Sequence, residues 1–156
     1  MTPSPTGPAD LSLAVVVRVT EDDCEVVADG RLLVVGYALP FPRPRSERVA
    51  PGHLVAVASA PDGATVIVWR WYDAVVVGSA DGQVRLWEPA HGEVLARPRR
   101  PQAQPALGSR AYASAGLPGA EWWVAGRAGP RAEDADVELD EVRAFLTDVG
   151  MWDRLT

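Results

Sequence analysis

Short apolar runs separated by turn residues fill the chain from Leu11 to Arg97. Asp-Gly and His-Gly pairs stand between the runs, and such pairs supply the positive φ that tight hairpins need. The spacing leaves no room for a crossover helix of about a dozen residues, so an antiparallel meander is predicted instead of parallel βαβ units. The predicted strands are Leu11 to Val19, Cys24 to Ala28, Arg31 to Leu39, His53 to Ala60, Ala64 to Gly78, Gln83 to Glu88 and Glu93 to Arg97.

The side-chain pattern within these runs indicates how the strands are covered. Residues Gln83 to Glu88 alternate apolar side chains with polar or aromatic ones, which is typical of a strand with one buried face. The run Val75-Val76-Val77 has no polar face, and such runs lie inside a sandwich or barrel or under a helix. The expected fold is mainly β: an antiparallel meander forming a small barrel or roll of roughly six to eight strands with one C-terminal α-helix.

Changes in composition divide the chain into four segments. Residues 1–10 are expected to form a disordered N-terminal tail, and residues 11–97 the antiparallel β domain. Residues 98–120 are rich in Pro, Ala, Gly, Gln and Ser, which predicts a flexible connector. Residues 121–156 combine a short apolar segment with a helix that packs on the β domain. The apolar stripe that predicts this helix consists of Leu139, Val142, Phe145, Leu146 and Val149.

Residues that carry catalysis or hold metal ions are scarce. The histidines His53 and His91 lie beside strand or turn glycines and are interpreted as strand and hairpin-tip residues, not as bases. Adjacent strand residues point to opposite faces, so the carboxylates around Cys24 cannot all reach one ion. The chain has neither a nucleophile elbow nor a phosphate-binding glycine loop. We therefore predict no catalytic residue, no metal site and no cofactor, and an enzyme of unrecognised class stays as the third alternative.

The charged residues are unevenly distributed. All 15 basic residues are Arg, against 21 acidic residues, and the net charge is −6. The chain contains no Lys and no Asn, which indicates a GC-rich bacterial genome, so the all-Arg set is not by itself a sign of phosphate recognition. Residues 31–100 hold nine Arg and six acidic residues, whereas the segments on either side are acidic. An anionic partner would therefore bind the middle of the chain.

Two irregular regions are the candidates for a binding surface. The proline-rich loop from Pro40 to Arg48 and the segment around Trp122 lie outside the regular strands, and loops on a rigid sheet often carry binding residues. An exposed tryptophan gives a large contact area at a small entropic cost, whereas one that covers the sheet stabilises the fold. Both interpretations stay open. The predicted partner-binding residues are Phe41, Arg43, Arg45, Arg48, Trp122 and Trp123.

The favoured function is that of a non-catalytic protein-binding module: an accessory, inhibitor or immunity-type, or structural component that binds another protein or its own copy. The alternative is an OB- or SH3-like small barrel that binds single-stranded nucleic acid, with bases stacked on aromatic side chains and Arg neutralising phosphates. The negative net charge argues against this alternative. Its arginines would be Arg43, Arg45, Arg48, Arg97, Arg99 and Arg100.

The cysteine count and the N-terminal composition bear on location. Cys24 is the single cysteine, which excludes an intramolecular disulfide and favours a reducing compartment. Residues 1–10 lack the basic start and the apolar stretch of a secretory signal. No apolar run approaches the ~18–20 residues that cross a bilayer. We therefore expect a cytoplasmic protein without a membrane partner.

Overall fold

The computed structural model describes residues 11–37, 49–59, 65–98, 105–115, 122–129 and 131–148. Within them the chain is mainly β-structure, and helix is limited to one α-helix and a short 3-10 turn. The elements are β1 (Leu11–Val19), β2 (Cys24–Ala28), β3 (Arg31–Tyr37), β4 (Leu54–Ser59), β5 (Thr65–Ala80), β6 (Gln83–Glu88), β7 (Gly92–Pro98), β8 (Arg110–Ala115), β9 (Trp122–Arg127), the 3-10 turn (Ala132–Asp134) and α1 (Leu139–Asp148).

Nine strands form one mostly antiparallel sheet in the order β3-β2-β1-β4-β5-β6-β7-β9-β8. Two of the pairings are parallel, that of β3 with β5 and that of β7 with β9. Additional pairings of β5 with β3 and with β8 bend the sheet into a partial ring. The prediction of a mainly β, antiparallel fold is confirmed, but the number of strands exceeds the predicted six to eight.

The additional strands, β8 and β9, lie where the sequence shows no regular strand pattern. β8 falls inside residues 98–120, which the composition predicts to be a connector without regular structure. Its buried residues include Ala111 and Ala113, whose small side chains give little hydrophobic contrast with their neighbours. β9 begins at Trp122 and accounts for the predicted short apolar segment.

Two predicted hairpin turns are present with the backbone that their sequences favour. Asp29-Gly30 joins β2 to β3, and both residues have positive φ, 52° and 72°. Asp81-Gly82 joins β5 to β6 with φ of 50° and 81°. Positive φ at both central positions matches the right-handed twist of the flanking strands. The third Asp-Gly pair, Asp62-Gly63, lies outside the described residues.

The long strand β5 is shared by two groups of strands. Its first part, residues 65–71, pairs with β4 and, at two positions, with β3. Its second part, residues 72–80, pairs with β8 and β6. We call β1 to β4 with the first part of β5 the N-terminal unit. The second part of β5 with β6 to β9 is the C-terminal unit.

Each unit encloses its own apolar core, and a third core lies outside β4. Val55 and Val57 of β4 belong to the core of the N-terminal unit, whereas Leu54 and Ala56 face the third core. Both faces of β4 are therefore buried, which explains why its sequence lacks a polar face. The third core also includes Val142 of α1. No helix among the described residues is long and apolar enough to cross a membrane.

The C-terminal segment crosses β9 closely at Gly126. The amide of Asp136 donates to the carbonyl oxygen of Arg127 at 3.0 Å, and a Cβ at position 126 would overlap the carbonyl oxygen of Asp136. We expect Gly126→Ala to lower the free energy of unfolding by about 3 kcal/mol in urea titrations, because the backbone must move apart. Gly36→Ala is the matched control, since its Cβ would meet only Val66 Cγ1 at 4.0 Å. Equal losses in the two variants would contradict the close crossing.

Candidate functional site

The outer surface of the C-terminal unit carries exposed aromatic and aliphatic side chains across β5, β6, β7 and β9. Trp87 of β6 lies opposite Val75 of β5 on one side and Glu93 of β7 on the other. Two rows further along β7, Arg97 lies opposite Trp123 of β9. We call this surface the tryptophan face. Its residues are Val75, Arg85, Trp87, Glu93, Leu95, Arg97 and Trp123.

Strand periodicity turns these side chains outward. The intervening residues Val84, Leu86 and Ala96 are buried in the core of the C-terminal unit, and successive strand residues point to opposite faces. Trp87 is consequently 47% exposed and Trp123 43% exposed. An indole with that much open surface is available to a partner, because its ring is not needed to fill the core.

The charges on the tryptophan face are few and mostly basic. Arg85 and Glu93 form an ion pair at 2.7 Å on neighbouring strands, and such exposed pairs contribute only about 0–1 kcal/mol to stability. Arg97 adds a second positive charge beside Trp123. The face therefore holds two arginines and one glutamate, in contrast to the acidic chain as a whole.

A cluster of aromatic and polar side chains around the buried ring of Tyr72 lies where the two units meet, and we call it the Tyr72 cluster. The ring of Tyr72 lies 5.1 Å from those of His53 and His91 and 5.0 Å from that of Trp122, measured between centroids. The guanidinium carbon of Arg70 lies 3.8 Å from the centre of the same ring. The cluster thus joins the start of β4 to the turn between β6 and β7.

Glu88 completes the Tyr72 cluster as a fully buried carboxylate. Its Oε1 accepts a hydrogen bond from His91 Nδ1 and its Oε2 accepts one from the amide of Ala90, each at 2.5 Å. Both oxygens are therefore satisfied, which is the condition for burying a carboxylate without a large penalty. The hydrogen bond to Glu88 holds the imidazole of His91 in one orientation.

His53 is held in its neutral form. Its Nδ1 accepts a hydrogen bond from the amide of Ala50 at 3.1 Å, so its proton lies on Nε2. Burial first, and then the charges of Arg70 and His91, lower its pKa to about 4. The described residues contain no group of three or more His, Cys, Asp and Glu side chains placed to hold a metal ion. The cluster thus joins the two units through hydrogen-bonded imidazole rings of fixed orientation.

The predicted partner-binding residues divide between described and undescribed parts of the chain. Phe41, Arg43, Arg45 and Arg48 lie outside the described residues, as do Arg99 and Arg100. Trp122 and Trp123 point to opposite sides of β9, one towards the Tyr72 cluster and the other onto the tryptophan face. Trp122 is thus packed against other rings, whereas Trp123 is exposed.

Sequence reasoning missed Trp87 as a surface residue and did not connect the two histidines. The alternation around Trp87 marked it as facing away from the core side of β6, which was the available signal. No comparable signal links His53 to His91, because they reach Tyr72 from different units through long-range strand pairing.

The contrast between Trp122 and Trp123 predicts different losses of stability. Trp122→Ala removes a ring packed on Tyr72 and His91, so we expect a loss of about 3 kcal/mol in the free energy of unfolding. Trp123→Ala removes an exposed ring, and we expect a change within about 0.5 kcal/mol. Urea unfolding followed by circular dichroism measures both. Similar losses in the two variants would contradict this placement.

The lowered pKa of His53 predicts a dependence of stability on pH. The unfolded chain binds a proton at this side chain below about pH 6.5, whereas the folded chain binds it only near pH 4. The contribution is therefore complete above pH 6.5 and is lost as the pH falls towards 4, by about 3 kcal/mol in total. His53→Gln keeps an acceptor for the amide of Ala50, and its stability should fall less over this window. Parallel urea-unfolding curves against pH would contradict the assignment.

No protein-family model matches the sequence, and no curated protein matches it either. Among solved structures, the fold is distantly similar to a multidomain protein with nucleic acid binding domains from Streptococcus pneumoniae TIGR4. The two chains are 11% identical with a TM-score of 0.34, and the similarity covers 90% of this chain and 59% of the streptococcal one. A likeness this distant carries no argument about function, which has to come from the surface itself.

Proposed function

We propose that the chain is a non-catalytic module of two OB-like barrels in tandem that binds single-stranded nucleic acid on the tryptophan face. The observation that carries the proposal is the exposure of Trp87 and Trp123 on one surface that also holds Arg97. Exposed rings that stack on bases and an arginine that neutralises phosphate are the two parts of such a site.

The order of strand pairing in each unit supports the OB-like interpretation over the SH3-like one. With the strands of a unit numbered one to five along the chain, neighbours follow the circuit 1-2-3-5-4-1, and strands three and five are parallel. This is the order of the five-stranded Greek-key OB barrel. β5 acts as the fifth strand of the first barrel and the first strand of the second.

The position of the tryptophan face within its unit supports the same function. β6 and β7 are the second and third strands of the C-terminal unit, and OB barrels bind oligonucleotides on the face of these strands. Trp87 and Trp123 are separated by two strands across and four residues along, which is roughly 16 Å between Cα atoms. A single strand of a few nucleotides spans this distance, consistent with the smaller sites of about 4 nucleotides known for OB folds.

A protein partner on the same face is the second candidate function. Val75 lies opposite Trp87 and is exposed, as are Val77 and Leu95 on the two strands next to β6, and an exposed apolar patch with a tryptophan is typical of protein interfaces. Binding of this kind depends weakly on salt, whereas phosphate binding releases counterions and weakens steeply with salt. Salt dependence therefore separates the two candidates.

We expect a labelled single-stranded oligonucleotide of about 12 nucleotides to bind at ~50 mM salt, measured by fluorescence anisotropy. Trp87→Ala and Trp123→Ala should each weaken binding by about 5- to 100-fold, because each removes one stacking platform worth ~1–3 kcal/mol. Arg97→Gln should lower the slope of log K against log salt by about 0.7. Val17→Ala is the matched control, since Val17 is similarly exposed but lies in the N-terminal unit.

Two results would overturn the proposal. One is the absence of oligonucleotide binding at tens of micromolar protein and low salt. The other is an oligonucleotide affinity that is the same in Trp87→Ala and Trp123→Ala as in the unchanged chain. Capture of a protein partner whose affinity is insensitive to salt and is lost in Trp87→Ala would support the second candidate instead.

A further inference from the structure

Strand β3 presents an open, aliphatic edge in the N-terminal unit. Only its last two residues, Gly36 and Tyr37, pair with β5, and among the described residues its remaining pairing is with β2. Leu32 is 60% exposed and Val34 is 64% exposed. Leu33, on the opposite face of the strand, is also exposed. Three consecutive aliphatic residues thus lie open to solvent along one sheet edge.

The hairpin between β2 and β3 determines which backbone groups point outward. The two-residue turn at Asp29-Gly30 makes Ala28 and Arg31 a hydrogen-bonded pair. Because such pairs alternate along an antiparallel ladder, Arg31 and Leu33 bond to β2, whereas the N–H and C=O groups of Leu32 and Val34 point to the open edge. The edge therefore offers two donors and two acceptors to an incoming strand.

The equivalent strand of the C-terminal unit is protected and β3 is not. β7 also pairs in parallel only at its end, from Ala96 to Pro98. There, however, Leu95 is flanked on its face by Glu93 and Arg97, and charged side chains on an edge oppose the approach of another strand. The residues of β3 that face the open edge, Leu32 and Val34, carry no charge. An edge of this kind is a template for strand addition.

We propose that β3 pairs antiparallel with β3 of a second copy of the chain, around a two-fold axis at Leu33. In this register Leu32 lies opposite Val34 of the second copy, and Val34 opposite its Leu32. Both pairs consist of residues whose backbone groups point outward, so each exchanges both N–H···O bonds. Leu33 meets its own copy on the other face. The strand is thus complementary to itself, which a two-fold interface requires.

Charge favours this antiparallel arrangement over a parallel one. Arg31 is the only charged residue of β3. In the antiparallel register the two Arg31 residues are four positions apart, about 13 Å along the strands, which exceeds the Debye length of about 8 Å. Parallel pairing would place them on adjacent strands about 5 Å apart. Repulsion between the two Arg31 side chains therefore favours the antiparallel orientation of the second copy.

The dimer does not depend on the proposed nucleic-acid function, because β3 and the tryptophan face lie in different units. If both hold, one dimer carries two tryptophan faces, and a strand long enough to reach both gains avidity. The effect of Trp87→Ala on oligonucleotide binding tests the first proposal, and the effect of the β3 variants on self-association tests the second. Either proposal can therefore be overturned without the other.

Sedimentation equilibrium of the full chain tests the proposal. We expect a concentration-dependent dimer, and Val34→Lys or Leu32→Lys should weaken self-association at least tenfold, because a charged lysine on an edge strand opposes the approach of another strand. Leu95→Lys is the matched control, an exposed leucine on the protected strand β7, and should leave the dimer unchanged. Circular dichroism and melting temperature establish that each variant is folded, as expected for exposed positions.

Amide hydrogen exchange gives a second measurement that does not depend on substitutions. In the dimer the amides of Leu32 and Val34 should be protected and should lose protection on dilution, while that of Leu33 is protected throughout by β2. A monomer at all concentrations up to about 100 µM overturns the proposal. So does a dimer that both lysine variants retain, or protection of Leu32 and Val34 that dilution does not change.

Discussion

The continuity of β5 is the constraint on which the rest of the fold depends. A single strand from Thr65 to Ala80 serves two units, so its register must satisfy both of them at once. Ile67 belongs to the core of the N-terminal unit, Trp71 to the third core and Val76 to the core of the C-terminal unit. A slip by one residue would turn each of these side chains to the wrong face. Irregular registers against β4 and β6 accommodate the change of partners along the strand.

The Tyr72 cluster lies at the point where β5 passes from one unit to the other. Buried polar groups that are fully hydrogen-bonded favour one arrangement over near alternatives, because every other arrangement would leave them without partners. Glu88 meets this condition through Ala90 and His91. The cluster also holds Trp122, and because the next strand residue points the other way, it determines how Trp123 is presented. The exposed surface is thus positioned by the buried junction behind it.

Local chemistry made much of the meander predictable, and long-range pairing accounts for what was missed. Asp29-Gly30 and Asp81-Gly82 mark hairpins through a backbone requirement that any reader of the sequence can apply. The parallel pairings of β3 and β7 connect strands that are distant in sequence, and no local pattern encodes them. The sequence did not predict β8, because its buried residues include alanines that give little hydrophobic contrast. A strand can be buried by its neighbours without being strongly apolar. Only part of the tryptophan face could be predicted. Trp123 could be identified as a candidate from the sequence, whereas its proximity to Arg97 depends on the pairing of β7 with β9.

Two units with the same strand order carry different chemistry on equivalent strands, and the two proposals assign a separate binding mode to each unit. β6 and β7 present Trp87 and Arg97, whose ring and guanidinium suit bases and phosphates. β2 and β3 present Leu32 and Val34 at an uncharged edge, which suits another strand and has nothing to offer a phosphate. In the nucleic-acid proposal the attraction for phosphate has to come from Arg85 and Arg97 on the tryptophan face, because the chain as a whole carries a net charge of −6.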